Sequence, residues 1–299
     1  MFGVINIYKP KGITSHDVVG IVRKILGIKQ VGHTGTLDPF AEGVLPICVG
    51  KATRLIEYFD DDKEYIASVQ FGSSTETYDT EGQITDRSDK KITQTDILEN
   101  LRFFRGEIEQ TPPIYSAIKV NGKKLYEYAR EGKPVEIEPR KVTIYEIELL
   151  GFDNARQIAD IRIKCSKGTY IRSIANDLGK KLGCYGHLIR LVRSKAGKFN
   201  VENSVKLPVL ISSDKKYTIE NGAKEKLLPF IQNPTEAVSI PVTEISNADF
   251  ERVSHGNSIK ISDKKFKCGD FLILVYNNNV VATAQQQENE IRVKKVFVE

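Results

Sequence analysis

Apolar residues along this chain change period repeatedly, from every second position to helical spacing and back, but never in a regular strand–helix alternation. Gly3 to Tyr8 reads as a short strand and Lys9-Pro10-Lys11-Gly12 as the turn after it. Thr14 or Ser15 can cap a helix whose Val18, Val19, Val22, Ile25 and Leu26 fall at helical spacing, ending near Gly27. A buried strand is predicted over Val44 to Val49 and a helix over Lys51 to Phe59. The alternation of Tyr65, Ala67, Val69 and Phe71 predicts a strand with one buried face. Thr95 to Phe104 fits a helix and Val142 to Leu150 a strand. In Ile161-Arg162-Ile163-Lys164-Cys165 the apolar residues share one face and the basic residues the other. Ile171, Ile174, Ala175 and Leu178 return to helical spacing, with Gly179 or Gly183 able to end the helix. Many strands with a few irregularly placed helices predict an α+β fold with a mixed or antiparallel sheet, not a doubly wound parallel one.

A chain of 299 residues suggests two domains. The pattern breaks around Asn233-Pro234 and Pro241, which places the boundary between residues 1–232 and 239–299. The second part reads as a short helix, Asn247 to Val253, followed by strands. Phe271 to Tyr276 and Val280 to Gln285 form a hairpin across Asn277-Asn278-Asn279 in a small β-rich module. Within the first part, Gln110 to Pro139 is loop-like, carrying Pro112-Pro113, Asn121-Gly122 and Gly132. It interleaves Tyr115, Tyr126 and Tyr128 with Lys119, Lys123, Lys124, Arg130 and Lys133. Such a stretch suits RNA contact by stacking and phosphate pairing; a long surface hairpin fits the spacing equally well.

Composition excludes several classes. Hydrophobic residues make up 40% and charged residues 28%, enough to bury a core. The apolar runs fall far short of the roughly 20 residues a bilayer span needs, and residues 1–8 show no secretory signal. Cys48, Cys165, Cys184 and Cys268 are scattered, as are the four histidines, so neither a disulfide framework nor a metal site is expected, and a cytoplasmic setting is. Net charge is +5, but Arg162 to Lys198 holds ten basic residues against Asp177 alone. That stretch carries +9 and leaves −4 for the rest. A block of this kind suggests a polyanion-facing surface; a solvated face with local ion pairs is the alternative, although one acid cannot neutralise it locally.

Gly50-Lys51 invites a phosphate-loop reading, but Leu45 stands where that motif needs glycine and Ala52 where it needs Ser or Thr. The loop Gly32-His33-Thr34-Gly35-Thr36-Leu37-Asp38-Pro39-Phe40-Ala41-Glu42-Gly43 carries more information. Pro39 biases Asp38 toward extended backbone, and flanking glycines permit a sharply bent path that presents one carboxylate at a concave surface. An Asp-Pro in such a loop also serves simply to make a turn.

The wording of that loop through Val44-Leu45-Pro46, together with Lys9-Pro10-Lys11-Gly12-Ile13-Thr14-Ser15, resembles the TruB family of tRNA pseudouridine synthases. The likeness continues in Lys63-Glu64-Tyr65, in Thr111 to Lys119, in Cys165 to Ser173 and in His187 to Leu191, in the family's order over most of residues 1 to about 230. By position and size the last part is similar to a PUA-type RNA-binding domain. The resemblance implies a pseudouridine synthase catalytic domain. Its activity would be isomerisation of uridine 55 in the T loop of tRNA, by cleaving the C1′–N1 bond, turning the base and rejoining it through C5. No redox cofactor and no metal is required by that reaction.

It also implies roles for single residues. Asp38 would be the catalytic carboxylate, acting on the sugar, on the base or on a sugar proton. Arg172 would pair with it, with a phosphate contact as the competing role. Tyr65 would stack on the target base and assist proton removal from C5, and Leu191 would close the pocket. His33 would fill the space left when the base is extruded, at a cost of a few kcal/mol. Lys9 and Pro10 would brace the loop and contact phosphate, with Tyr170 and Lys167 among the RNA-binding residues. Segment 110–139 resembles an insertion that clamps the RNA loop, which argues against the guide-RNA-dependent relatives. The implied partner is the tRNA T stem-loop, with the acceptor end reached by the C-terminal module, for a monomer without an obligate protein partner. A non-catalytic tRNA-binding or tRNA-folding protein is the competing reading of the basic block.

Overall fold

The computed structural model describes residues 1–212, 214, 216–260 and 266–298. Strand β1 (Phe2–Lys9) leads into helix α1 (Ser15–Leu26). Thr14 caps α1: its hydroxyl accepts from the Asp17 amide while the Asp17 carboxylate accepts from the Thr14 amide, and Gly27 closes the helix at φ 69°. Strands β2 (Val31–His33) and β3 (Glu42–Gly50) follow. The stretch Lys51–Tyr58 is a 3₁₀ helix, not an α-helix; it buries Ala52 and Leu55, three residues apart, which is the 3₁₀ period.

Strand β4 (Lys63–Phe71) precedes a small pair, β5 (Ser73–Thr75) with β6 (Ile84–Arg87), then helix α2 (Gln94–Leu101) and strand β7 (Gly106–Gln110). The loop-like segment that follows has local order. Strands β8 (Lys119–Val120) and β9 (Lys123–Lys124) turn on Asn121 and Gly122, both at positive φ, and a short helix α3 (Leu125–Arg130) packs behind them. Next come β10 (Arg140–Asp153), β11 (Ile158–Cys165), α4 (Ile171–Leu182), β12 (Gly186–Ala196), β13 (Phe199–Asn200) and β14 (Val205–Lys206).

Ten of these strands make one sheet in the order β14-β1-β3-β12-β4-β11-β10-β7, with β2 added on β3 and β13 on β12. Two neighbours are parallel, β1 with β14 and β3 with β12, and the rest antiparallel, which is the mixed α+β arrangement that the irregular periodicity predicts. Strands β1 and β3 are buried on both faces. Ile5, Ile7, Leu45, Ile47 and Val49 pack with α1, while Val4, Val44 and Cys48 join Leu55, Phe199 and Phe297. This two-sided burial is why Val44 to Val49 reads as an unbroken apolar run. On the central strands, Ala67, Val69 and Leu188 pack with Ile174 and Leu178 of α4. A Cβ on Gly179 would lie 2.1 Å from the Gly186 amide nitrogen, so helix and sheet meet there backbone to backbone, and Gly183 at φ 70° ends the helix.

Beyond the sheet lie β15 (Val209–Ile211), β16 (Tyr217–Ile219) and α5 (Ala223–Leu227), then β17 (Val242–Glu244), α6 (Asn247–Ser254), β18 (Phe271–Tyr276), β19 (Asn279–Gln286) and β20 (Ile291–Val296). The last four strands form their own sheet, β17-β18-β19-β20. The β18–β19 hairpin turns on Asn277 and Asn278 at φ 51° and 62°, conformations that asparagine tolerates. This sheet sits against the first: Lys51 Nζ donates to Phe297 O at 2.9 Å, Arg54 Nη1 donates to Val296 O at 2.7 Å, and Lys295 pairs with Glu57. Among the described residues, no helix is long and apolar enough to cross a membrane.

Candidate active site

The loop between β2 and β3 is held by atoms from three directions. Ser15, first residue of α1, both donates to Leu37 O (3.0 Å) and accepts from Leu37 N (2.8 Å), clamping the residue before Asp38. Gly12 N donates to Pro39 O at 2.8 Å and Ala41 N to Asp38 O at 3.1 Å. Lys9 lies wholly inside. Its ammonium donates to the carbonyls of Pro10 (2.9 Å), Ile13 (2.8 Å) and Pro39 (3.3 Å). Burial pushes Lys9 down to about 8, with the nearby Asp38 charge opposing. Lys9 thus ties the turn after β1 to the loop at Pro39, with Pro10 supplying one of the carbonyls. All three of its N–H bonds are spent on backbone and none reaches solvent.

Asp38 emerges from this support with its side chain 31% exposed, so a ligand can reach it. Arg172, in the first turn of α4, approaches it with a side chain only 6% exposed. The directed hydrogen bond runs from Arg172 Nη2 to Asp38 Oδ1 at 3.2 Å. The closer Nε–Oδ2 approach of 2.9 Å is an ion-pair contact whose N–H is not aimed at that oxygen. The guanidinium also donates to Thr77 O and Tyr115 O, both at 3.1 Å, and lies 3.5 Å from the buried carboxylate of Asp79. Arg172 is thus a fork between two carboxylates, one buried and one reachable. Its competing role as a phosphate contact does not survive this burial.

Tyr65 on β4 stands opposite Arg193 on β12, and Leu191 opposite Ala67. Both Tyr65 and Leu191 are buried. Burial raises the Tyr65 phenol above its ordinary value, with the Arg193 guanidinium pulling the other way. His33, at the end of β2, is half-buried with Nδ1 enclosed and, among the described residues, without a partner; burial first and Arg193 second lower its pKa, so the ring is neutral near pH 7. Tyr170 caps α4 and is tied to the end of β7: Gln110 accepts from its amide at 2.8 Å and donates to its carbonyl at 3.0 Å. Lys167 is exposed and pairs with Asp61 at 2.6 Å, a contact apart from Asp38 and Arg172.

The +9 block is not a bare basic face. Acids distant in sequence meet it across the sheet: Glu148 on Arg162, Glu146 on Lys164, Asp61 on Lys167, Glu42 on Arg190 and Glu64 on Lys195. Lys198 donates to backbone carbonyls, and Arg172 and Arg193 are buried. The inference that pairing cannot neutralise the stretch holds for neighbours in sequence, while in space these five acids offset half of its ten cations and leave Lys180 and Lys181 without a paired acid among the described residues.

Three contributors escape sequence reasoning. Asp79 follows Tyr78, which sits at φ 62°, in a turn whose approach to α4 has no local signal. Ser15 reads only as a helix cap. Arg193 reads as one charge among ten, although its parity with Leu191 along β12 is a signal that it points inward.

The sequence model of the TruB family pseudouridylate synthase N-terminal domain matches residues 23–171, and that of the tRNA pseudouridylate synthase B C-terminal domain matches residues 172–239. The chain is 41% identical over 299 residues to the tRNA pseudouridine synthase B of Caldanaerobacter subterraneus subsp. tengcongensis, covering 99% of each chain. It is 39% identical to that of Clostridium kluyveri, covering 100% of both. Among solved structures it is similar to a Cbf5-Nop10-Gar1 complex, with a TM-score of 0.73 and 28% identity over 99% of this chain and 85% of that one. An H/ACA RNP bound to a substrate RNA containing 2′-deoxyuridine matches with a TM-score of 0.72 and 26% identity, over 100% and 86%.

Proposed function

Because this chain belongs to the TruB family of pseudouridylate synthases, we propose that it converts uridine 55 in the T loop of tRNA to pseudouridine, with Asp38 as the catalytic carboxylate. The observation that carries this reading is the Asp38 carboxylate itself: reachable from solvent, on a loop fixed at both flanks, and gripped by a buried guanidinium. A group held in one orientation before the substrate arrives loses little freedom on reaction. The isomerisation exchanges a C1′–N1 bond for a C1′–C5 bond in one nucleoside, releases the C5 proton to solvent and takes one proton up at N1, so atoms and electrons balance without a cofactor.

The extruded uracil would lie beside Tyr65, with Leu191 as the far wall. The raised Tyr65 phenol keeps its proton near pH 7, so it would assist at C5 by hydrogen bonding to a base or water, or by transient proton transfer. Neutral His33, with an unpartnered ring nitrogen, would occupy the gap that the extruded base leaves. Lys119, Lys123 and Lys124 on the β8–β9 hairpin, with the tyrosines of α3, would close over the RNA loop. We read residues 1–232 as the catalytic domain and 239–299 as a PUA-like module reaching toward the acceptor end, in a cytoplasmic monomer.

The test is pseudouridine mapping in an unmodified tRNA transcript treated with wild type and with Asp38→Asn, in chelator. Wild type is expected to modify the T loop alone. Asp38→Asn should be slower by at least about a thousandfold, within the range lost with a general acid or base. Equal activity of the two proteins would remove Asp38 from the chemistry, and base-independent binding without conversion would favour the folding-protein reading.

A further inference from the structure

Arg193 is 1% exposed and, among the described residues, has no carboxylate within ion-pair distance. Its neighbours deepen the problem. Lys9, Lys63 and His33 all feel its charge as repulsion. A buried cation among bases is costly, so its donors define what it is for. Nε donates to Val44 O at 2.7 Å, Nη1 to Thr36 O at 3.2 Å and Nη2 to Gly35 O at 3.1 Å. Two of these carbonyls precede Asp38 and one follows it, so a single planar group closes the loop into a ring around the carboxylate. The Arg193 backbone lies between Gly43 of β3 and Tyr65 of β4 in the sheet register. A Cβ on Gly43 would lie 2.4 Å from Arg193 O, which marks how closely the two strands are drawn together. Leu191, two residues earlier on β12, supplies the pocket wall.

We propose that Arg193 is a positioning residue for the isomerisation, registering the Asp38 loop against Tyr65 and Leu191 through one guanidinium. The inference rests on the reading of Asp38 and Tyr65 given above. Its chemistry is specific to arginine: three acceptors spread over Gly35, Thr36 and Val44 need donors on three separate nitrogens, which a lysine ammonium does not have. The charged or titratable groups facing Tyr65 are Arg193 from β12, Cys165 from β11 and Asp38 from the loop. Of these only Arg193 is a cation, so its removal leaves the phenol to burial and to acids.

Two variants test this. Arg193→Lys keeps the charge and loses the three-point span. Its kcat on a T-arm transcript is expected to fall about a hundredfold, as misplacement of a catalytic group by an ångström does, with KM nearly unchanged because Arg193 is sealed from any RNA. Arg193→Gln removes the charge; the Tyr65 ¹³Cζ resonance, assigned by its loss in Tyr65→Phe, should then titrate at higher pH than in wild type. A folded Arg193→Lys protein with wild-type kcat, or with its whole loss in KM, overturns the proposal. So does an unmoved Tyr65 titration in folded Arg193→Gln; if that variant does not fold, the lysine variant decides alone. Failure of the functional reading is separable: it would show as full turnover by Asp38→Asn, while the Tyr65 titration reads the Arg193 coupling in either case.

Discussion

Lys9 puts three carbonyl oxygens on one ammonium, and its pKa ties their geometry to pH. In the folded protein burial holds Lys9 at about 8, against 10.5 in an exposed chain. Between those values the unfolded chain keeps a proton that the folded protein has released, so this residue makes the fold more stable as pH rises. The increment is complete only above 10.5 and is lost as pH falls through 8, and it amounts to roughly 3 kcal/mol. Turnover should move the other way over the same window, since a neutral amine has two N–H bonds for three acceptors. Urea titrations of wild type and Lys9→Met at pH 8 and pH 10 check the sign: wild type gains on the variant at the higher pH. At Asp79 the expected effect is electrostatic. Asp79→Asn retains an acceptor for the Thr77 hydroxyl (2.6 Å) and the Glu81 amide (2.9 Å) but withdraws one charge from Arg172. Turnover should drop by about tenfold or more through misorientation of the Arg172–Asp38 pair, with tRNA affinity retained, in single-turnover and filter-binding measurements.

Helix α4 carries Arg172 at one end and touches the sheet at the other. The contact point is Gly179, where any side chain meets the backbone of Tyr185 and Gly186. Gly179→Ala is expected to lift the helix and cost at least about 2 kcal/mol, the range for inserting a methyl into a packed contact. The same tilt would move Arg172 off Asp38, so activity should fall at temperatures where the protein remains folded. Thermal denaturation followed beside turnover distinguishes this from simple unfolding. By contrast, Thr14→Ala removes one half of a capping box at an exposed helix start and should cost about 1 kcal/mol, leaving Ser15 and its grip on Leu37 in place.

At the scale of the whole molecule, many of the described charges stand in compensated pairs and the two sheets are in contact. Lys164 and Lys167 already hold Glu146 and Asp61, so converting both to glutamine should flatten the salt dependence of tRNA affinity by less than two free cations would, a slope change below about 1. Lys180 and Lys181 behave differently: they lie over the rings of Tyr78 and Phe103 with no acid paired among the described residues, and their neutralisation should account for most of any change assigned to the block. Between the sheets, Phe297 packs edge-on against Phe2 and beneath Arg54. Phe297→Ala is expected to destabilise the protein by about 3 kcal/mol or more, measured in urea, because it opens a cavity where both halves meet.

Much of this protein is readable from its residues alone. Period two and helical spacing locate β1, α1, β4, β11, α4 and the β18–β19 hairpin, because a side chain's parity depends on local geometry and burial of one face selects for it. The order of the loop around Asp38 and the blocks that accompany it suffice for the family and for the Asp38–Arg172 partnership. What the sequence leaves open is everything that depends on approach through space. Whether Lys9 meets phosphate or backbone, whether ten cations face solvent or acids, and whether Arg193 is surface or keystone are decided by strands far apart in the chain lying side by side. Charge and burial are properties of the folded neighbourhood, and a sequence lists neighbours in only one dimension.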